Sequence, residues 1–496
     1  MLPIWRESKL LAGSPMAADN LTSLSGPNDP PPTKTSRGAP EFARRNSLRL
    51  LALGFGLTFI HLFWYNSPWT AWLAICCYAP FMVWLQEYSK RPFFAGWIFG
   101  LYYGAMNETW LGQFASKYTH SPLIGFFVVF VIAGVWGCFY GFACWIRTKI
   151  TFLRHMTLFA VLMCVMEFGR MNVPQFEYPN SPFGEPLVVY PAVATALMTA
   201  YFCMFVVMVT NAMIATFFSK PINFRSSTKS IYARLLPIFA VCFVLALIFS
   251  SIQKRREFKP LGIRIALGQI GADLAYSEEG LKPFLIQEAG DDLMQQAVAQ
   301  KADLLIFSEG IAKFDETPTT PFKILPNMPL IFGAQRGKSP AYQSAFFWNG
   351  QDFRHTDKRQ LVVFGERVPF RNIIPYPEDF KLPGGDYDEG KSRTLFEVKP
   401  GIKAGVMICF ESMFWGSAYE YSQMNADFLA IISLDDWYMG TNGIPRLAIA
   451  AQWRAVESKK WIVRVGSLGK TMVIDPKGRV RAEIPTGTRQ LLVYDL

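Results

Sequence analysis

Long, nearly uninterrupted apolar runs, confined to the first half of the chain, limit the folds open to it more than any other feature. LLALGFGLTFIHLFWYN and GFFVVFVIAGVWGCFYGFACWI lie before about residue 252, and nothing like them follows. A helix needs roughly 20 apolar residues to cross a hydrocarbon core of about 30 Å. Seven segments approach that requirement, near 48–64, 69–87, 93–112, 122–146, 156–172, 188–218 and 231–252. Residues 47–252 are therefore expected to be a transmembrane domain of about seven helices, with Pro191 placed to split an interfacial arm from the sixth. Trp64, Trp69, Tyr102 and Trp110, near span ends, read as interfacial anchors. Residues 1–46 contain SGPNDPPPTKTSRGAP, have few large apolar residues and lack the apolar core of a signal peptide, so a disordered cytoplasmic leader is expected.

The net charge of +11 raises the question of nucleic acid. Its distribution argues for lipid, because the basic residues flank apolar spans: Arg44 and Arg45, Lys90 and Arg91, then Arg147, Lys149 and Arg154, then Lys220, Arg225 and Lys229. The alternate loops carry little beyond Lys117. By the positive-inside tendency the amino terminus is cytoplasmic, and the domain after the seventh segment is outside. No nucleic-acid motif, zinc-ligand spacing or glycine-rich phosphate loop is visible, so neither metal nor cofactor is expected.

Residues 253–496 have a different texture. Short apolar runs bounded by turn residues, GIRIALGQI, ADLLIFSE, PLIFGAQ, KAGVMICFE, ADFLAIISL, WIVRVGS and TMVIDPKG, read as buried strands. LKPFLIQEAGDDLMQQAVAQKA and IPRLAIAAQWRAVESKK have helical spacing. Strands alternating with helices predict an α/β layered domain.

Of eight cysteines only Cys409 falls in this polar half, so no disulfide framework forms there. It closes the strand AGVMIC, where a nucleophile would be presented at a domain edge. A thiol needs help to ionise near neutral pH. The polar half has one histidine, His355, which leaves a Cys-His pair open, but two other residues follow the design of Cys409 more closely. Glu309 ends ADLLIFSE, where partial desolvation suits a carboxylate to base work. Lys358 opens the segment DKRQLVVFGERVPF and could donate to a developing oxyanion.

The order Glu, Lys, Cys in these contexts resembles the carbon-nitrogen hydrolase, or nitrilase, superfamily, which implies an α-β-β-α sandwich and a Glu-Lys-Cys triad. FSE at 307–309, DKRQLVVFGERVPF at 357–370, GVMICFE at 405–411 and SLDDWY at 433–438, all after a multi-span region, make the chain similar to bacterial apolipoprotein N-acyltransferases over about residues 47–496. MEFGRM at 166–171 resembles a Glu-Phe-x-Arg element of that family's membrane domain, with Glu167 and Arg170 placed to pair on one helix face.

Departures are visible too. Ser308 stands where the family commonly has Pro, Phe410 where it has Tyr, Leu434-Asp435 where it has Asn-Asp, and Tyr276 where an early loop carries Trp. The family usually ends in a further transmembrane helix, whereas LLVYDL reads as a strand.

The resemblance implies a catalytic domain on the periplasmic side of the bacterial inner membrane. A phospholipid would be the acyl donor and a diacylglyceryl-modified lipoprotein the acceptor. Glu309 would act as base, Cys409 as nucleophile, and Lys358 with the Phe410 N–H as oxyanion donors. Glu366 would assist beside the lysine, and Glu411 would hold the turn or the lysine. A membrane-tethered amidase of the same superfamily and a non-catalytic lipid-binding or assembly protein remain the competing readings.

Overall fold

A computed structural model describes residues 38–64, 67–180, 182–219, 258–276, 278, 280–315, 318, 322, 328–376 and 382–496. Most of the expected leader, residues 1–37, and the seventh expected segment, 231–252, lie outside the described residues. Residues 47–496 form one compact unit.

In the membrane half, α1 (Gly38–Phe63), α4 (Pro92–Thr119), α5 (Pro122–Lys149), α6 (Met156–Met171) and α8 (Ala200–Phe218) occupy five of the expected segments. Four stretches among the described residues are long and apolar enough to cross a membrane: Arg45–Phe63, Pro68–Glu87, Pro122–Lys149 and Ala200–Phe218. Their outward faces are apolar. Phe126, Phe127 and Phe130 on α5 are exposed, as Trp69 is, and such a surface is stable only against lipid. The protein is a membrane protein.

Two departures from simple spans have a physical reason. The sixth segment breaks at Met198 and Thr199, between α7 (Pro191–Leu197) and α8, because Pro191 starts the short helix and the Thr199 hydroxyl caps the next one at Phe202 N–H. The second segment breaks between α2 (Pro68–Ala71) with its 3-10 continuation Trp72–Ile75 and α3 (Ala79–Glu87). A broken helix in an apolar interior must satisfy its freed backbone groups from elsewhere. Asn211 of α8 does this: its Oδ1 accepts from the N–H of Tyr78 and of Ala79, each at 2.9 Å, and its Nδ2 donates to Ala74 O at 2.7 Å. Asn211→Leu strands the Tyr78 N–H and the Ala74 carbonyl, each costing on the order of 1–3 kcal/mol, and leaves Ala79 N–H only its bond to Cys76 O at 3.2 Å. A clear fall in the thermal unfolding midpoint in detergent is the expected outcome.

Helices α4 and α5 pack at close range through glycine. A Cβ at Gly96 would lie 2.4 Å from Tyr140 O, and one at Gly137 2.7 Å from Trp97 O, so neither position accepts a side chain.

The second half is built on two sheets. One runs β13-β1-β2-β4-β5-β6 with β3 beside β4, and the other runs β12-β11-β10-β9-β8-β7. Their strands are β1 (Arg264–Gln269), β2 (Leu304–Phe307), β3 (Ala312–Phe314), β4 (Leu330–Arg336), β5 (Tyr342–Trp348), β6 (Phe353–Asp357) and β7 (Phe396–Lys399). The remainder are β8 (Ile402–Ile408), β9 (Phe428–Ser433), β10 (Trp461–Gly466), β11 (Thr471–Ile474), β12 (Val480–Ile484) and β13 (Gln490–Asp495).

Side chains alternate across a strand with period two, and the cores follow that alternation. Ile265, Leu267, Leu304, Ile306, Val406 and Ile408 meet between the sheets. Ala266, Leu305 and Phe307 point the other way, onto α9 (Lys282–Ala299). Met407 faces the helices α10 (Trp415–Gln423) and α11 (Gly443–Ser458), packing with Ala418, Ala451 and Ala455. The order of layers is α-β-β-α, the expected nitrilase-type sandwich. All seven expected strands are present, and LLVYDL forms β13 against β1.

Candidate active site

Three chain turns at one end of the paired sheets bring the expected residues together. β2 ends at Phe307, and Gly310, with φ of +81°, turns the chain so that Glu309 leaves the strand at its end. The strand packs so closely beside β4 there that a Cβ on Gly333 would lie 2.5 Å from Glu309 Cα. Lys358 follows β6 directly and is pinned through its backbone, its N–H donating to Gln343 O at 2.7 Å and its carbonyl accepting from Gly390 N–H at 2.8 Å. β8 ends at Ile408, and Cys409 adopts φ of +49°, a left-handed conformation that costs a side-chain-bearing residue energy and recurs at functional turns.

The side chains form a buried charge cluster. Lys358 is fully buried, and its Nζ donates to Glu309 Oε1 at 3.3 Å and to Glu366 Oε1 at 2.6 Å. An ammonium has three N–H donors, so one remains for another acceptor. Glu309 Oε2 accepts from Leu434 N–H at 3.3 Å, and Glu366 Oε2 from Val362 N–H at 2.9 Å.

Burial raises the proton affinity of Glu309 above the usual carboxylate range, Lys358 opposes the rise, and Glu366 adds to it. For Lys358 burial works against the charge, but Glu309 and Glu366 outweigh it and hold the ammonium protonated. Burial pushes the Cys409 thiol up to about 12, with Glu309 adding to the rise and Lys358 opposing it. The resting site thus holds a protonated thiol within electrostatic reach of a carboxylate poised to accept a proton.

Glu411 sits apart from the lysine. Its Oε2 accepts from Ile408 N–H at 2.9 Å and its Oε1 from Arg359 N–H at 3.0 Å, so it ties the turn at Cys409 to the residue after Lys358. Phe410, beside the thiol, stacks on Tyr178 of the membrane half, with centroids 5.9 Å apart. His355 lies on β6 against Phe346 and is partly exposed. It is not among the groups that act on Cys409.

Two contacts around the site escape the sequence. Arg393 donates to Glu411 at 3.2 Å from a side chain as buried as its partner. Removing one member of a buried pair typically costs about 3–5 kcal/mol, against about 0–1 kcal/mol for a pair near solvent. Arg393→Met is therefore expected to lower the unfolding midpoint far more than Arg359→Met, whose guanidinium is partly exposed and pairs with Glu420. Trp110 is not the exposed interfacial anchor its position suggests. It is buried edge-to-face against Tyr438, since α4 packs here on protein rather than lipid.

Cys409 lines a small pocket, partly open to solvent, whose walls come from both halves of the chain. Cys409, Phe410, Met413 and Tyr438 face Trp110, Tyr178 and Asn180 across it. The membrane half is tied to this wall by polar groups. Glu167 and Arg170 pair at 2.7 Å, Tyr140 donates to Glu167, Arg170 donates to Asn180 O at 2.9 Å, and Asn180 Nδ2 donates to Glu108 at 2.6 Å.

Both halves match known families. Residues 62–213 match the apolipoprotein N-acyltransferase N-terminal domain, and residues 337–496 match carbon-nitrogen hydrolase. Apolipoprotein N-acyltransferase from Aquifex aeolicus is 23% identical over 473 residues, covering 91% of this chain and 90% of the relative. The protein of that name from Shewanella oneidensis is 25% identical over 456 residues, 84% of each chain. Among solved structures, an amidase from Nesterenkonia sp. aligns at 16% identity with a TM-score of 0.35, covering 48% of this chain and 92% of that one. The chain thus carries a match to an apolipoprotein N-acyltransferase N-terminal domain followed by a match to carbon-nitrogen hydrolase, and it is similar nearly end to end to proteins named apolipoprotein N-acyltransferase.

Proposed function

We propose that the protein moves a fatty acyl chain from a membrane phospholipid, through a thioester on Cys409, to the α-amino group of a diacylglyceryl-cysteine at a lipoprotein amino terminus. The observation that carries this reading is the thiol cavity walled by both the catalytic sandwich and membrane helix α4, because both acyl substrates are lipids that must reach sulfur without crossing bulk water. Closing such a cavity with lipid also shields a thioester from hydrolysis.

In the first half-reaction Glu309 takes the thiol proton as Cys409 Sγ attacks the ester carbonyl. The third N–H of Lys358 and the N–H of Phe410 hold the oxyanion. The tetrahedral adduct collapses with cleavage of the C–O bond, and Glu309 returns the proton to the departing lysophospholipid. In the second, the free amine attacks the thioester, Glu309 accepts its proton, and cleavage of the C–S bond regenerates the thiol. Glu366 orients the ammonium of Lys358 by the 2.6 Å bond, and Glu411 fixes the turn that presents Cys409.

The resemblance to apolipoprotein N-acyltransferases supports a multi-pass protein of the bacterial inner membrane, and the distribution of Lys and Arg supports a catalytic domain on its periplasmic side. The test is to incubate the purified full chain in detergent with labelled phospholipid and a diacylglyceryl-cysteine peptide. N-acylated peptide and lysophospholipid in equal amounts are the expected products. Free fatty acid in place of acylated peptide would indicate a lipid hydrolase and contradict the transferase.

A further inference from the structure

Arg147, in the last turn of α5, is a guanidinium only 7% exposed that pairs with no carboxylate among the described residues. Its Nη2 donates to Gln86 Oε1 at 3.2 Å and to Arg154 O at 3.3 Å. Nε and Nη1 have no acceptor among the described residues, and of these two it is Nε that is enclosed. The charged guanidinium that acts on it electrostatically is that of Arg154, which has the same sign. The carbonyl end of α5 offsets part of this charge, while Lys149 and Arg154, both exposed, add to it. A cation buried in a membrane protein is strongly unfavourable until an anion meets it.

The surroundings are those of a membrane interface. Trp145 and Phe152 are exposed on either side of Arg147 along the chain, and Lys149 Nζ lies 5.7 Å from the centre of the Trp145 ring. Aromatic and basic side chains gather in this way at headgroup depth. Lys90 and Arg91, also exposed, precede α4, whose first turn packs on this end of α5: a Cβ on Gly141 would lie 3.0 Å from Phe93 O. The catalytic sandwich meets α4 further along, where Trp110 packs on Tyr438. From Pro92 to Trp110 the helix rises by about 27 Å, close to the thickness of a hydrocarbon core. The basic cluster therefore lies in the leaflet opposite the sandwich.

We propose that Arg147 binds the phosphate of an anionic phospholipid in that leaflet. The phosphate oxygens accept from the guanidinium, with Lys149 and Arg154 at the rim, and the acyl chains lie along the outer face of α5, where Phe142 and Trp145 are exposed. A lipid held this far from Cys409 is a bound partner of the fold and not an acyl donor. The proposal stands apart from the acyl-transfer reading.

Phosphatidylglycerol with ether-linked chains has no ester for Cys409 to attack. It is titrated into the full chain in detergent, with bound lipid counted by native mass spectrometry and the thermal unfolding midpoint measured beside it. The matching dialkylglycerol, which lacks the phosphate, and inorganic phosphate are the controls. The unmodified protein is expected to bind the phospholipid and to be stabilised by it, and by neither control. Arg147→Met is expected to bind the phospholipid roughly 10- to 100-fold more weakly, as loss of a hydrogen bond to a charged group implies. In lipid-free detergent the same variant should unfold no lower than the unmodified protein, because it removes a buried charge that lacks a partner. Equal phospholipid affinity in the variant would overturn the site. So would a midpoint lowered as much without lipid as with it, the mark of a purely structural arginine. Stabilisation by inorganic phosphate alone that disappears in Arg147→Met would overturn the lipid as its occupant.

Discussion

Cys409→Ser, incubated with labelled phospholipid, is expected to yield no thioester adduct and to lose transfer to the acceptor by several orders of magnitude. Two features of the site make the loss large. A serine hydroxyl is much harder to ionise than a thiol, and the turn at Cys409, with its positive φ and its carbonyl held by Ser412 Oγ at 2.8 Å, is built to present one atom to one cavity. The measurement is mass spectrometry of intact protein before and after hydroxylamine, which cleaves thioesters. An adduct of unchanged amount on the serine variant would place the nucleophile elsewhere.

Glu309→Gln is expected to slow acylation by about 10²- to 10⁴-fold, as removal of a general base commonly does. The pH dependence makes this prediction sharper. With Glu309 present, the rate is lost as pH falls through the proton affinity of that carboxylate, which burial raises above the usual range, and is flat above it. Without the base, attack must await spontaneous ionisation of a thiol that burial holds above its ordinary range. The residual rate should then climb about tenfold per pH unit across the neutral range, since the thiolate fraction does so. A flat profile in the variant would show that another group takes the proton. Lys358→Met is informative alongside it: losing the ammonium removes an oxyanion donor and leaves Glu309 and Glu366 facing each other without their shared cation.

What could be read from the sequence follows from how local each signal is. Glu309 and Cys409 are legible because each ends a strand whose apolar alternation is written in adjacent residues, ADLLIFSE and KAGVMICFE. The strand that delivers Lys358 is not legible. Phe353–Asp357 reads FRHTD, four polar residues of five, with no hydrophobic period to mark it. The apolar stretch that follows, LVVF, forms turns rather than a strand.

The sandwich is foreshadowed by seven apolar runs, whereas short edge strands such as Ala312–Phe314 and Val480–Ile484 are too short to stand out from the turns around them. In the membrane half, apolar length marks the helices. The break at Cys76 to Tyr78 depends on Asn211, more than 130 residues away. Arg393 against Glu411 and Trp110 against Tyr438 are likewise facts of tertiary contact, to which spacing along the chain gives no access.

The central claim is that the acyl chain travels by way of Cys409 to an amine. A pulse and chase tests it most directly. The full chain is acylated with labelled phospholipid, freed of excess donor, and given a diacylglyceryl-cysteine peptide with an unblocked α-amino group. The account requires label to leave Cys409 at the rate at which it appears as an amide on that amino group, and to stay on Cys409 when the peptide is N-acetylated beforehand. Label that passes to water at the same rate with or without the peptide, or acylated peptide that forms while Cys409 stays unlabelled, would contradict it.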